Sequence, residues 1–301
     1  MNAILLDAGS PSTCHPTTCT RPLAELPIGN RPLLDLQRGN LLEAGYTLAD
    51  NGDDDDLFIL GNAWLSPALL TLLHRTPAPA AVRDHDGTIL AWVGESAHAV
   101  LNSRTIPADE SSFLIRYPWD LLSIHEQVLA TLHETRLEGD VSRAATIDGT
   151  LILGKGSRIL PGVVMEGTIV IGEHCKVGPN CYLRGSTSIG NRCHIGQAVE
   201  IKNSLIMEAT SIGHLSYCGD SIIGRHVNFG AGTITANFRH DGETHRSRVG
   251  GKLVDTGRRK FGTVVGDGVH TGIHTSIYPG RKLWPNTSTR PGGIVQHDLQ
   301  A

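Results

Sequence analysis

From Leu153 onward an aliphatic residue returns at every sixth position: Leu153, Ile159, Met165, Ile171, Val177, Leu183, Ile189, Ile195 and Ile201. Glycine follows it at Gly154, Gly172, Gly178, Gly190 and Gly196. The register slips by one at Ile206, resumes at Ile212 and Cys218, and slips again to Ile223 and Phe229. It returns as Val265, Thr271, Ile277, Leu283 and Thr289. This period matches neither the turn of a helix nor the alternation of a half-buried strand. It predicts a β-helix, in which three short strands make one triangular coil and the aliphatic residue of each points inward. An ordinary β-sandwich does not account for the fixed spacing. The period breaks between Asn237 and Phe261, in a polar stretch rich in Gly and Arg. So long a loop in a compact domain is usually functional, the alternative being a solvated excursion.

Ahead of the coils, Leu121, Leu122, Ile124, Val128, Leu129 and Leu132 fall on one face of a helix within Tyr117–Arg136. The pattern changes again before that. "AILLDAG" is strand-like, "PLLDLQRGNLLEAGY" helical, "DDDDLFILGNAWLSPALLTLLHR" strand then helix, and "GTILAWVGE" another strand, an α/β arrangement. The expected organisation is an α/β domain over residues 1–116, a connector helix over 117–136, and a left-handed parallel β-helix of hexapeptide repeats over 137–301.

Composition adds limits. With 35 glycines and 5% aromatic residues, the chain suits tight turns and small repeated strands. A formal net charge of −4 gives no electrostatic case for nucleic acid or an anionic membrane. No apolar run is long enough to span a bilayer. The six cysteines (Cys14, Cys19, Cys175, Cys181, Cys193 and Cys218) include no C-x-x-C pair. No secretory apolar region follows Met1, so they are expected to be reduced thiols of a cytoplasmic protein.

The text "LLDAGSPSTCHPTTCTRPLAELPIGNRPLL" resembles the opening of the sugar-1-phosphate nucleotidyltransferases, well over about the first fifty residues and poorly over the next sixty. The glycine-rich loop of that family brings backbone amides and an Arg to a triphosphate. Here the loop is Gly9-Ser10-Pro11-Ser12-Thr13. Pro11 has no amide to donate, Thr13 stands where the Arg belongs, and Leu23 takes the place of the family Lys. The family's metal-binding Asp is missing from Phe58–Ala63, and the acidic run Asp53–Asp56 reads as a solvated turn. The expectation is a truncated, degenerate domain without nucleotidyl transfer.

In the coils, Leu183 and Ile201 are eighteen residues apart and share an inward column. Arg184 and Lys202 therefore stack on the outside one rung apart, roughly 4.8 Å. Like charges so placed repel, so the pair is read either as a clamp for a shared anion or as two solvated charges. Glu200 faces the same way as Lys202 and offsets part of the repulsion. His214, Tyr217, Asn228 and Asn237 follow, and acyl transfer to an amine calls for such a set: a base with a pKa near neutrality, cations for a phosphate, and hydrogen-bond donors.

The stretch "IGQAVEIKNSLIMEATSIGHLSYCGDSIIGRHVNFGAGTITANFRHDG" resembles the acetyltransferase half of the bifunctional glucosamine-1-phosphate acetyltransferase / N-acetylglucosamine-1-phosphate uridyltransferase family. The downstream "DTGRRKFGTVVGDGVHTGIHTSIYPGRKLWP" is closer to its archaeal-type branch. The resemblance implies His214 as general base and Arg184, Lys202, Tyr217, Asn228 and Glu200 as binders of an amino-sugar phosphate. It implies acetyl-CoA as cosubstrate, held at Asn237, Gly272, Ile273 and Pro291. Arg281 and Lys282 are candidates for its phosphates. It further implies a homotrimer and no metal for acetyl transfer. Two departures stand out: Glu243, with Arg246 nearby, replaces a family Lys, and Ile273 replaces a Ser that contacts coenzyme A. The competing readings are a sugar-1-phosphate nucleotidyltransferase and a non-catalytic paralogue.

Overall fold

The computed structural model describes residues 1–53, 55–94 and 103–300. Two compact units emerge: one of residues 1–11, 22–26 and 31–116, the other of residues 12–21, 27–30 and 117–301.

In the first unit the strand Asn2–Leu5 lies parallel between Thr47–Leu48 and Leu57–Ile59. Ile89–Val93 continues the sheet antiparallel to Leu57–Ile59 and to Ala80–Arg83, and Arg104–Pro107 closes it parallel to Ala80–Arg83. Glu95 and Asp54 lie outside the described residues. Helices Leu33–Glu43 and Pro67–Leu73 bury Leu41, Leu69, Leu70 and Leu73 with Leu57, Ile59 and Val82. The second helix starts where Ser66 accepts the Leu69 amide at 3.0 Å and Pro67 presets the first turn. The acidic turn differs from its expectation at one residue. Asp53 and Asp55 are exposed, but Asp56 is buried and accepts from the Asn2 amide and side chain and from the Asp53 amide. Its carboxylate ties the turn to the first strand.

The second unit is a left-handed parallel β-helix. Successive coils stack eighteen residues apart, as in Thr146↔Val164 and Val164↔Tyr182. From Ser188↔Leu205 to Tyr217↔Ile234 the repeat shortens to seventeen, and it is eighteen again at Thr263↔Arg281. Both slips of the sequence pattern therefore have one cause. The sides Ile201–Ile206 and Cys218–Ile223 each lose a residue at a corner, where Asn203 and Asp220 adopt positive φ. The side Leu183–Ile189 keeps it at Gly185. The inward columns fill the core with Leu153, Ile171, Ile189, Ile206, Ile223, Val265 and Leu283 and their counterparts on the other two sides. Toward the C-terminal end hydroxyls join this core: those of Thr233 and Thr271 meet at 2.7 Å, as do those of Thr275 and Thr289. The cysteines are free, and Cys175, Cys181, Cys193 and Cys218 sit in the core as small apolar residues.

The aperiodic stretch is an excursion from the coil. Ile222 pairs with Val264, forty-two residues on, so about twenty-five residues are inserted beyond the seventeen of a coil. Part of the insertion is an antiparallel hairpin, Arg246–Val249 with Lys252–Asp255. The connector helix spans Asp120–Ala130 and buries Leu121, Leu122, Ile124 and Leu129. Its His125 is buried and accepts the Gly29 amide at 3.3 Å.

Candidate active site

Arg184 and Lys202 are direct register partners on adjacent coils, as the eighteen-residue spacing requires. Each has its own carboxylate. Arg184 gives Nε and Nη2 to Glu200 Oε1 at 2.9 and 2.7 Å, and Glu200 keeps the guanidinium charged by raising its pKa further. Lys202 Nζ lies 3.2 Å from Asp220 Oδ2. The ring of Tyr182 lies beneath Arg184, 5.3 Å from the guanidinium carbon. Glu200 thus orients a cation rather than simply diluting a repulsion.

On the next rung the partner of Lys202 is Gly219. A Cβ there would stand 2.4 Å from Tyr217 Oη and 2.7 Å from Asn237 Nδ2. The absence of a side chain is what lets Tyr217 and Asn237 fold in above the lysine. Asn237 Nδ2 donates to Tyr217 Oη at 2.9 Å and also to Asp220. Burial and the neighbouring Asp220 and Glu200 carboxylates push the Tyr217 phenol up, so it stays a neutral donor.

These groups line a cleft of about 310 Å³ formed by Arg184, Lys202, Tyr217, Asn237, Phe238 and Lys260. Asn237, expected beside the cosubstrate, is brought to the cations. Lys260 was not singled out from the sequence. The excursion leaves the coil at Asn237 and returns at Phe261, and its two ends pair through a Phe238↔Lys260 bridge and a Phe261 N–H to Asn237 carbonyl bond of 3.0 Å. A third cation therefore reaches the cleft from the far end of the insertion, while Glu243 and Arg246 are exposed. Asp220 was missed as well, because an acidic residue between Gly219 and Ser221 reads as a turn. Here it is 1% exposed and holds both Lys202 and Asn237.

His214 does not line this cleft. It ends the strand Ser211–His214 on the adjoining side of the coil, exposed, three positions before Tyr217. It belongs to a corner column: Gly232 N–H donates to the His214 carbonyl, His274 N–H to Ala231, and Gly292 N–H to Ile273. His214, Ala231, Ile273 and Pro291 thus follow one another along the corner. Gly272 is required there, since a Cβ would meet Arg290 and Pro291 backbone at 2.5 Å. Asn228 is exposed on the same side as His214, paired with Ser211. Burial, then Lys176 and His214, lower the pKa of His194 on that side. The candidate residues accordingly form two groups, Arg184, Lys202, Tyr217 and Asn237 in a cleft, and His214, Gly272, Ile273 and Pro291 along the corner.

Among the described residues no cluster of three or more metal-binding side chains occurs, and no helix is long and apolar enough to cross a membrane.

A model of the GMPPB C-terminal domain matches residues 165–283. The chain is 40% identical over 182 residues to a bifunctional sugar-1-phosphate nucleotidylyltransferase/acetyltransferase of Sulfurisphaera tokodaii, a match covering 60% of this chain and 45% of that protein. It is 48% identical over 186 residues to a bifunctional protein GlmU of Methanococcus maripaludis, covering 62% of this chain and 45% of the relative. The matches span just under half the length of these relatives.

Proposed function

We propose that this chain, homologous over about 60% of its length to the bifunctional sugar-1-phosphate nucleotidyltransferase/acetyltransferase family, is an acetyl-CoA-dependent N-acetyltransferase acting on an amino-sugar 1-phosphate. The observation that carries this reading is the cleft, where three cations, a neutral phenol and an amide converge. Arg184, Lys202 and Lys260 take the phosphate through charge-assisted bonds, and Tyr217 and Asn237 orient the sugar. Glu200 and Asp220 hold the cations in place without filling the cleft.

The amine reaches out of the cleft toward the corner that carries His214. An ammonium is no nucleophile, so His214 removes one proton. The free amine then adds to the thioester carbonyl of acetyl-CoA, lying along the Ala231–Ile273–Pro291 corner. The tetrahedral intermediate collapses by breaking the C–S bond. The amide forms, the second amine proton is lost, and coenzyme A leaves as thiol. Ile273, where the resemblance has a Ser, gives an apolar contact rather than a hydroxyl at that step.

The reading includes a homotrimer. Leu215, Ile234, Ile273 and Ile294 are exposed along this corner and the adjoining strands, and Ile234 and Ile294 stand in one column. An exposed apolar strip of this kind suits a symmetric contact. The testing experiment is thiol release from acetyl-CoA against a panel of amino-sugar phosphates, with sedimentation alongside. Release that depends on the phosphorylated amino sugar supports the reading. The same rate with and without sugar overturns it, and a stable monomer removes the trimer.

A further inference from the structure

A cavity of about 640 Å³ in the β-helix unit is separate from the cleft in its lining. Lys282, Trp284, His15, Arg248, His297 and Asp298 are among the residues that line it. None of its lining residues belongs to the Arg184–Lys260 cleft or to the Gly272, Ile273 and Pro291 corner. Four pieces of chain build it: the strand Arg281–Leu283 with its following corner, the tip of the excursion hairpin, the C-terminal residues His297, Asp298 and Gln300, and the N-terminal residues Ser12, Thr13 and His15.

Its central feature is Lys282. The residue is only 3% exposed, yet it lines the cavity. Its Nζ sits 5.3 Å from the centroid of the Trp284 ring. Asp298 Oδ1 is engaged by the Lys282 backbone amide at 3.0 Å, and among the described residues no carboxylate lies within the 4.0 Å of an ion pair to Nζ. A buried ammonium with no carboxylate in contact is costly, and Asp298 compensates it only from beyond ion-pair distance. The indole face supplies part of that compensation, and burial still pushes the ammonium's pKa down. Arg248, exposed at the hairpin tip, and the imidazoles of His15 and His297 add donors around the opening.

We propose that this cavity is a second binding site, for an organic phosphate, with the phosphate on Lys282 and Arg248. The volume supports an organic ester over a bare ion. It falls in the range of small-molecule sites, about 300–1,000 Å³, and leaves room for a sugar or nucleoside beside Trp284. Ser12, Thr13 and His15, which belong to the β-helix unit, then serve as part of the wall.

The test is titration of the full chain, followed by the fluorescence of Trp284, with Trp284→Phe as the blank. The probes are inorganic phosphate, glucose 1-phosphate and uridine 5′-monophosphate. Saturable quenching by an organic phosphate is expected, the sugar and nucleoside arms telling which carbon skeleton fits. Lys282→Gln should weaken binding about tenfold or more, the worth of one charge-assisted contact. Arg248→Gln should weaken it in the same direction, and that substitution is at the exposed hairpin tip, so it decides the matter even where Lys282→Gln does not fold. No saturation by any probe, tighter binding of inorganic phosphate than of either ester, or wild-type affinity in Arg248→Gln overturns the proposal. Displacement of the probes by coenzyme A also overturns it, since the cavity would then belong to the cosubstrate.

Discussion

The coil cleft and the Arg21 segment both carry cations suited to phosphate, and they have been treated in opposite ways. In the coil, Arg184 and Lys202 are fixed by the eighteen-residue repeat, each beside a carboxylate, and both face a cleft. Arg184 spends Nε and Nη2 on Glu200, and a guanidinium has five N–H donors, so capacity remains for a ligand. In the N-terminal region, Arg21 is 8% exposed at its side chain and bound to Asp267, which also receives Thr20 and Arg225. Its segment, 12–21, is counted with the β-helix unit. A cation makes a phosphate site only where the scaffold holds it and leaves part of it unspent. The coil meets both conditions, whereas Arg21 is buried and turned into structure, on Asp267 and Met207.

The largest effect should come where the proposed chemistry lies. His214→Ala is expected to lower kcat for acetyl transfer by roughly 10²–10⁴-fold, the range of general-base catalysis. KM for the sugar should hardly move, because a base acts in the transition state. The check is steady-state kinetics from pH 6 to 9, with oligomeric state and melting verified first. A kcat near wild type across that range removes His214 as the base and leaves the cleft as a binding site only.

The cleft cations should give a smaller effect of another kind. Lys202→Ala and Lys260→Ala each remove a charge-assisted contact worth about 1.5–3 kcal/mol, so KM for the amino-sugar phosphate should rise by roughly tenfold to a hundredfold, with kcat less affected. Lys260 is the sharper case. It has no part in the coil's own ladder beyond its bridge to Phe238, so its loss should leave melting nearly unchanged. A KM unaltered in Lys260→Ala would return the excursion to the status of a solvated loop.

How much of this could be read in advance differs by residue. The β-helix was legible because every inward column repeats along the chain, and even the slips at Ile206 and Ile223 record real one-residue corner deletions. The Arg184–Lys202 stack followed from the same arithmetic. Lys260 did not, because the inserted residues hide a pairing that exists only once both ends of the excursion return to one coil corner. Asp220 was invisible for a different reason: a buried carboxylate at a positive-φ corner has the sequence appearance of a solvent turn. Asp56 repeats that lesson in the first unit. The placement of 12–21 with the β-helix depends on tertiary contacts to Asp267, over two hundred residues away, and no local pattern announces it.

The attachment of the N-terminal segments to the β-helix unit should also show in pH dependence. Burial holds the His125 imidazole at about 4, partly offset by the Ser186 carbonyl, against about 6.5 in an unfolded chain. The folded state thus resists protonation that the unfolded state accepts. Stability from this group is complete above pH 6.5 and is lost as pH falls from there to about 4, about 3 kcal/mol in all. Urea unfolding at a series of pH values should show that slope, and His125→Leu should flatten it. An equal slope in both proteins would mean that other groups carry the acid sensitivity.

The smallest expected effect is none at all. Incubating the protein with uridine triphosphate, a sugar 1-phosphate and Mg²⁺ should release no pyrophosphate. Pro11 lacks an amide, and Thr13 and Leu23 lack the cationic heads. The comparison between the two regions makes a stronger statement. Restoring the loop chemistry with Pro11→Gly, Thr13→Arg and Leu23→Lys together should still give no turnover. Ser12–Arg21 is held within the β-helix unit by Thr20 and Arg21 on Asp267, and Leu23 is fully buried, so a lysine there enters a core before it meets a phosphate. Pyrophosphate release by the triple variant would show that the side chains alone had been lost. Its continued silence, in a protein whose acetyl transfer persists, would place the deficit in where the segment is bound.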